Sequence, residues 1–479
     1  MGQQPVEASF LADFDTLTHH LLRYQPQLAI RQQVTGVDAQ AEFAALRTQL
    51  AGVTDTLTFV RLCSQALNVC QDEHTGVRWP VLPLERAALG ITAEDSAHFR
   101  RLNRKLYNHR TVGKPLALPV AYRDGKYQAF LSFSYSAVTV PSGAWLLSVN
   151  GIPVEAFVRE RVRYKPLRWD RERNAFFDTH LFQDDEGLTP GDTLRLTFAT
   201  LGGAPVALTV TPADTVATER PRYAGPGNPT AQLRYLPETG SVVVRMPQMT
   251  PLGPLLDELS GLRGQPIRRV VIDIRGNLGG DDGTWYELLE SLVAEPLVCQ
   301  IRVAAVPDPA IGRYTSDFDP SAAPLDGFQA LPTAFVGLFD LQDTLHPSAT
   351  TLGLRCPIYV LQDADIYSSA GALSEYAYMV PQLVSVGERT GYWLGRGIMP
   401  PLRVLPHTRL AFRYAASVDL AHVEKPLDCY HDHVEVPVEF PLAQAATVWQ
   451  LGPGAYALEY SLENDAILKA LLAGEYDHR

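Results

Sequence analysis

The sequence predicts a multi-domain α/β protein: a helical N-terminal part, a β-rich module, and a core of alternating strands and helices. Three observations carry this. Residues 1–125 hold apolar residues at mainly helical spacing. Residues 126–215 change to short alternating runs separated by turn signals. Beyond residue 230, nearly continuous apolar strands alternate with helical stretches, the pattern of a mostly parallel sheet. The expected division is a helical domain at 1–125, a β-rich module at 126–215, a Pro- and Gly-rich linker at 216–230, and a core at 231–479.

In the first segment, Phe10 to Leu22 reads as a helix. Thr54-Asp55-Thr56 offers caps for a second, running through Phe59, Leu62, Ala66 and Val69 and ending near Gln71 to Gly76. In the module, Tyr127 to Val140 alternates like strand. Trp145 to Val149 is an apolar run closed by Asn150-Gly151, a tight-turn signal. Thr193 to Phe198 and Val206 to Thr211 are further strands. In the core, strands are expected at Ser241–Met246, Arg269–Ile274, Pro357–Leu361, Leu383–Val386 and His433–Val438. Helices are expected at Trp285–Val293, Ser369–Met379 and, closing the chain, Glu463–Leu472.

Composition bounds the function. The 479 residues are 46% hydrophobic and 20% charged, which suits a globular protein with a large core. A net charge of -12 disfavours nucleic acid as a partner, because phosphate backbones are repelled. No apolar run is long enough to cross a membrane. The opening Met1 to Phe10 has no basic start and no apolar run, which leaves either a cytoplasmic protein or a trimmed leader. The five cysteines are dispersed, with no Cys-x-x-Cys pair, so neither a disulfide scaffold nor a structural zinc site is expected. His422, His431, Asp432 and His433 cluster in sequence, but their spacing fits no common metal site.

Three motifs could carry chemistry. Val270-Val271-Ile272-Asp273-Ile274-Arg275-Gly276-Asn277-Leu278-Gly279-Gly280 runs a buried strand into a glycine-rich turn. Such a turn can aim backbone N–H groups at an anion, or can simply be a tight strand-to-helix connection. It is neither a dinucleotide fingerprint nor a P-loop. Asp365-Ile366-Tyr367-Ser368-Ser369-Ala370-Gly371 places two serines at a helix start, where a serine is commonly only an N-cap. Asp72-Glu73-His74-Thr75-Gly76 puts a histidine at a helix end, and histidine is the usual base for a serine nucleophile.

Together these motifs resemble the S41 family of serine peptidases, which includes the C-terminal processing proteases, tricorn protease and the chlamydial protease-like activity factor. Asp273 to Gly280 looks like the family's Asp-Leu-Arg-x-Asn-x-Gly-Gly signature, Tyr367 to Gly371 its nucleophile motif, and Gly387-Glu388-Arg389-Thr390-Gly391 the block that follows. Asn464 to Leu472 resembles the closing helix. The resemblance implies a crotonase-like αββ core, a PDZ-like module around Leu147 to Gly151 and an N-terminal helical domain. Two departures matter. Gly371, or Ala372 in the alternative register, stands where the family has an acid. Tyr392-Trp393-Leu394-Gly395-Arg396 holds no lysine where the processing proteases keep theirs. An arginine cannot serve as that base.

The branch with serine, histidine and glutamate fits better. The resemblance then implies Ser368 as nucleophile, Ser369 being the alternative in the other register. His74 is the base and Glu424 the orienting acid, with Asp428 and Asp432 as rivals. Gly279, Gly280 and Ser369 donate to the oxyanion. The expected reaction is hydrolysis of peptide bonds in peptides or unfolded proteins, through an acyl-enzyme and without metal or cofactor. The expected location is secreted or periplasmic. A non-catalytic peptide-binding protein and a hydrolase of small esters are the alternatives.

Overall fold

The computed structural model of the protein describes residues 6–25, 27–78, 86–87, 89–112, 116, 118–182, 188, 192–211, 230–306, 338–393, 400–431 and 434–477. The fold is mixed α/β and multi-domain, as the sequence predicts. It divides into two compact units. One comprises Met1–Ala217, Arg302–Asp340 and Tyr392–Tyr430; the other comprises Thr218–Ile301, Leu341–Gly391 and His431–Arg479. The linker expected at 216–230 lies, but for its last residue, outside the described residues, as do Leu394, Gly395, Arg396, Asp432 and His433.

The first unit begins with helices Val6–Tyr24, Gln27–Thr35, Ala39–Gln49, Thr56–Asn68 and Ala93–Val112. Asp55 caps the fourth: its carboxylate accepts from the Thr58 N–H at 2.8 Å. Phe10, Phe14, Leu17, Phe59, Leu62 and Cys63 are buried at helical spacing, so the first and fourth helices each turn one stripe inward. A six-stranded antiparallel sheet runs in the order Val206–Val210, Leu194–Ala199, Trp145–Val149, Lys126–Ala129, Val120–Arg123, with Ile152–Pro153 beside Trp145–Val149; its strand Val120–Arg123 lies before the boundary expected at 126. The hairpin turn is Asn150-Gly151, both at positive φ (53° and 79°), as a two-residue turn between twisted strands requires.

Two segments expected in the core belong to this first unit instead. Ala411–Arg413 pairs antiparallel with Gly76–Val77, and Ser417 to Asp419 pairs with Val303 to Ala305. These pairings are long-range, so no local pattern announces them.

The second unit is a six-stranded sheet whose spatial order follows the chain: β1 (Gln232–Leu236), β2 (Ser241–Arg245), β3 (Arg269–Asp273), β4 (Ile358–Gln362), β5 (Leu383–Gly387) and β6 (Val436–Pro437). β1 runs antiparallel to β2, and every other neighbour is parallel. The helices are α1 (Gly253–Ser260), α2 (Asp282–Leu292), α3 (Ser369–Met379), α4 (Leu442–Leu451), α5 (Leu458–Asn464) and α6 (Ala466–Ala473). Burial on both faces explains the apolar strands. Val242, Val244, Val270, Ile272, Ile358 and Val360 face α1, α2 and α3. Val243, Val271, Tyr359 and Leu361 face Phe440 and the helices α5 and α6.

The closing helix differs from its expected single span. Asp465 interrupts it, caps α6 by accepting from the N–H groups of Ile467 and Leu468 (both 2.9 Å), and pairs with Arg275. A residue with these two duties cannot continue α5. Among the described residues no helix is long and apolar enough to cross a membrane.

Candidate active site

Loops at the C-terminal ends of β2 to β5 form one cluster in the second unit, the place where open α/β sheets hold their ligands. Its foundation is an ion network inside the fold. Arg275 is 0% exposed and donates to both oxygens of Asp273, at 3.0 and 2.7 Å, besides its pairing with Asp465. Arg245 donates to the carbonyls of Tyr456, Asp273 and Arg275 at 2.9, 3.0 and 2.7 Å. Burial works against ionisation of Asp273, but the charges of Arg275 and Arg245 outweigh it and hold the carboxyl below its ordinary value. The chain therefore leaves β3 in one fixed direction.

It enters the glycine turn there. Gly279 and Gly280 have φ of 101° and 143°, conformations that suit residues without a Cβ. A Cβ on Gly279 would lie 2.7 Å from the Ser368 Cβ and 2.9 Å from the Ser369 nitrogen; one on Gly280 would lie 2.1 Å from the Met249 carbonyl oxygen. The turn is thus pressed directly against the two serines. Its internal bonds use the Gly279 N–H, which donates to Asn277 Oδ1 at 2.8 Å, and the Gly279 carbonyl, which accepts from Met249 N–H at 3.0 Å. The Gly280 N–H stands outside these bonds.

Ser368 precedes α3 with φ 53° and ψ -122°, a strained conformation for a side-chain-bearing residue, and makes no side-chain capping bond to the helix. The plain helix-cap role of this serine is therefore not taken up. Positive φ at a residue with a side chain is the kind of backbone strain that clusters at functional sites, and Ser368 is part-exposed. Ser369 is only 3% exposed, and among the described residues its Oγ has no hydrogen-bond partner. Its N–H opens α3, where the first N–H groups are left over by the helix and point toward incoming negative charge. Gly280 and Ser369 each directly follow one partner of the contact between Gly279 and Ser368. Gly371, standing where the family has an acid, is buried in the first turn of α3.

Carboxylates surround the base of this elbow. Asp363, after β4, accepts from the N–H groups of Gly276 and Asp365 at 2.9 and 3.1 Å. Burial and the nearby charge of Asp365 push its pKa up to about 7. Glu388, in the Gly-Glu-x-Thr-Gly block, accepts from Ala364 N–H and Phe440 N–H, both at 3.2 Å, and so ties the loops after β4 and β6 together.

His74 and Glu424 belong to the first unit. His74 is part-exposed on a turn held by Asp72. That carboxylate accepts from Thr75 N–H and Oγ1–H at 2.6 and 2.8 Å and from Gln25 Nε2 at 2.6 Å, while Thr75 Oγ1 accepts from Ala415 N–H at 3.0 Å. Burial raises the Asp72 carboxyl to about 6 against the pull of Arg31. Glu424 is exposed, and its N–H donates to Asp428. A solvated carboxylate is poorly suited to orienting an imidazole, a task that favours a buried, hydrogen-bonded one. Asp428 is buried but committed: it accepts from Glu424 N–H and Lys425 N–H at 3.3 and 3.1 Å and pairs with Arg171 at 2.6 Å. Asp432 lies outside the described residues, and of the sequence cluster around it only the His422 side chain is described, exposed. Reading the sequence missed the work of Asn277, Asp363 and Glu388, although two of them sit inside the quoted motifs.

Comparison with known proteins agrees with this picture. Residues 241–420 match the family model of peptidase family S41. Over that stretch the chain is similar to the family. Among solved structures, mature CPAF complexed with lactacystin matches with 13% identity and a TM-score of 0.56, over 98% of this chain and 100% of that one. Mature CPAF alone matches with 14% identity and a TM-score of 0.56, over 99% of each chain. At such identities the likeness is one of fold. No curated protein matches the sequence.

Proposed function

We propose that the protein hydrolyses peptide bonds through an acyl-enzyme on Ser368, with His74 as base rather than a lysine. The observation that carries the reading is the Ser368 elbow, strained, part-exposed and pressed against the Gly279-Gly280 turn. In the proposed cycle, His74 accepts the Ser368 proton as Oγ attacks the substrate carbonyl. The carbonyl oxygen takes up the negative charge and is met by the N–H groups of Gly280 and Ser369. Collapse expels the amine, which receives the proton from His74. Water then repeats the sequence on the ester and regenerates Ser368. The burial of Ser369 favours Ser368 as the attacking group. The peptidase family supports peptides or proteins as substrates.

The test is hydrolysis of an unfolded protein substrate by purified variants. Ser368→Ala and His74→Ala are each expected to lower kcat on the order of 10⁴-fold. Glu424→Ala is expected to stay within about threefold of wild type, as an exposed side chain should. Activity surviving in Ser368→Ala would overturn the assignment. A large loss in Glu424→Ala would restore it as the orienting acid.

A further inference from the structure

We propose that Asn277 is a positioning residue that locks the glycine turn onto the nucleophile elbow and so fixes where the Gly280 N–H points; this rests on the reading of Ser368 given above. Asn277 is 0% exposed and uses every polar group it has. Its Nδ2 donates to the Met246 carbonyl at 2.8 Å, and its Oδ1 accepts from the Gly279 N–H at 2.8 Å. Its N–H donates to the Ile274 carbonyl at 3.0 Å, and its carbonyl accepts from the Tyr367 N–H at 3.0 Å. One residue therefore ties together the end of β2, the end of β3, the glycine turn and the residue before Ser368.

The far side of the turn is closed by Met249, whose N–H donates to the Gly279 carbonyl and whose carbonyl accepts from Asp281 N–H, both at 3.0 Å. Because Gly279 already touches Ser368, any slip of the turn shifts the oxyanion donors relative to the attacking oxygen. Donors of this kind act only when held in place before the charge develops. The amide is the right group for the position. Leucine would have the same size but would leave the part-buried Gly279 N–H and the buried Met246 carbonyl without these partners. An ionised aspartate would set a negative oxygen against the Met246 carbonyl. A protonated aspartic acid would restore both bonds, its carbonyl accepting from Gly279 N–H and its O–H donating to Met246.

The experiment compares wild type, Asn277→Asp and Asn277→Ala from pH 5.5 to 8, each rate divided by the wild-type rate at the same pH to remove titrations common to both. Relative kcat of Asn277→Asp is expected to fall on the order of 10²-fold at pH 8 and to recover at least about tenfold at pH 5.5, with KM within about threefold throughout. Amide exchange at Gly279 is expected to be faster in Asn277→Ala than in wild type, with the far-UV circular dichroism unchanged. A pH-independent kcat ratio for Asn277→Asp, or equal Gly279 protection, would overturn the proposal. Absence of Ser368-dependent hydrolysis in wild type would instead defeat the reading of the site, and the exchange comparison would still decide the lock.

Discussion

At Ser368 the backbone holds a conformation that costs about 1–3 kcal/mol for a residue with a side chain. It persists because its neighbours fix it: Tyr367 N–H donates to Asn277, and Ala372 N–H to the Ser368 carbonyl at 2.8 Å. Asp363 below it supplies a pH dependence. Its pKa, raised to about 7 first by burial and then by Asp365, means that the fold prefers the neutral carboxyl. Unfolded, the same group ionises near pH 4. Its contribution to stability is therefore full below about pH 4, declines as pH rises toward 7, and is lost above that. Unfolding free energies from urea titration should show wild type losing stability relative to Asp363→Asn between pH 4.5 and 7.5; parallel curves would contradict the assignment. The serine pair and the glycine turn were legible in the sequence because each motif is contiguous. Ser368 was already the preferred nucleophile in the sequence; its φ and the burial of Ser369 add to that preference in terms the letters do not encode.

Among the elements, β2 to β5 and α3 read clearly from the sequence, and Ser369–Met379 emerges with the expected bounds. Strands buried on both faces and a helix of small and apolar residues leave few other readings. Two of the elements that were not anticipated show why. β1 is an edge strand of mixed burial, and α4 has no buried residue, so neither carries the one-sided apolar stripe that marks an element in sequence. The division of the closing helix is likewise a tertiary effect, since Asp465 is placed by its pairing with buried Arg275. Asp465→Ala would leave part of that guanidinium's charge unmatched inside the fold and uncap α6. A loss of about 3–5 kcal/mol in urea-monitored stability is expected. A loss under about 1 kcal/mol would mean that Asp273 and Arg245 suffice to hold the end of β3.

At the scale of the whole molecule, the sequence conveyed the class and the succession of helical, β-rich and βα regions, but not how segments are shared. Each unit is assembled from three separate stretches of chain, joined by pairings such as Gly76 with Arg413 that span most of its length. Local periodicity carries no record of such partners. The site shows the same divide. The part built within one unit, Ser368 with Ser369, Gly279 and Gly280, follows from contiguous motifs, whereas His74 rests on its resemblance to a motif far away in the chain. The proposed activity requires Ser368 to be an activated nucleophile. The most direct measurement is labelling of the intact protein with a fluorophosphonate at neutral pH, followed by mass mapping of the modified residue. One adduct, on Ser368 and absent from His74→Ala, is the predicted result. An adduct on Ser369, or no adduct on a folded wild-type protein, would contradict the account.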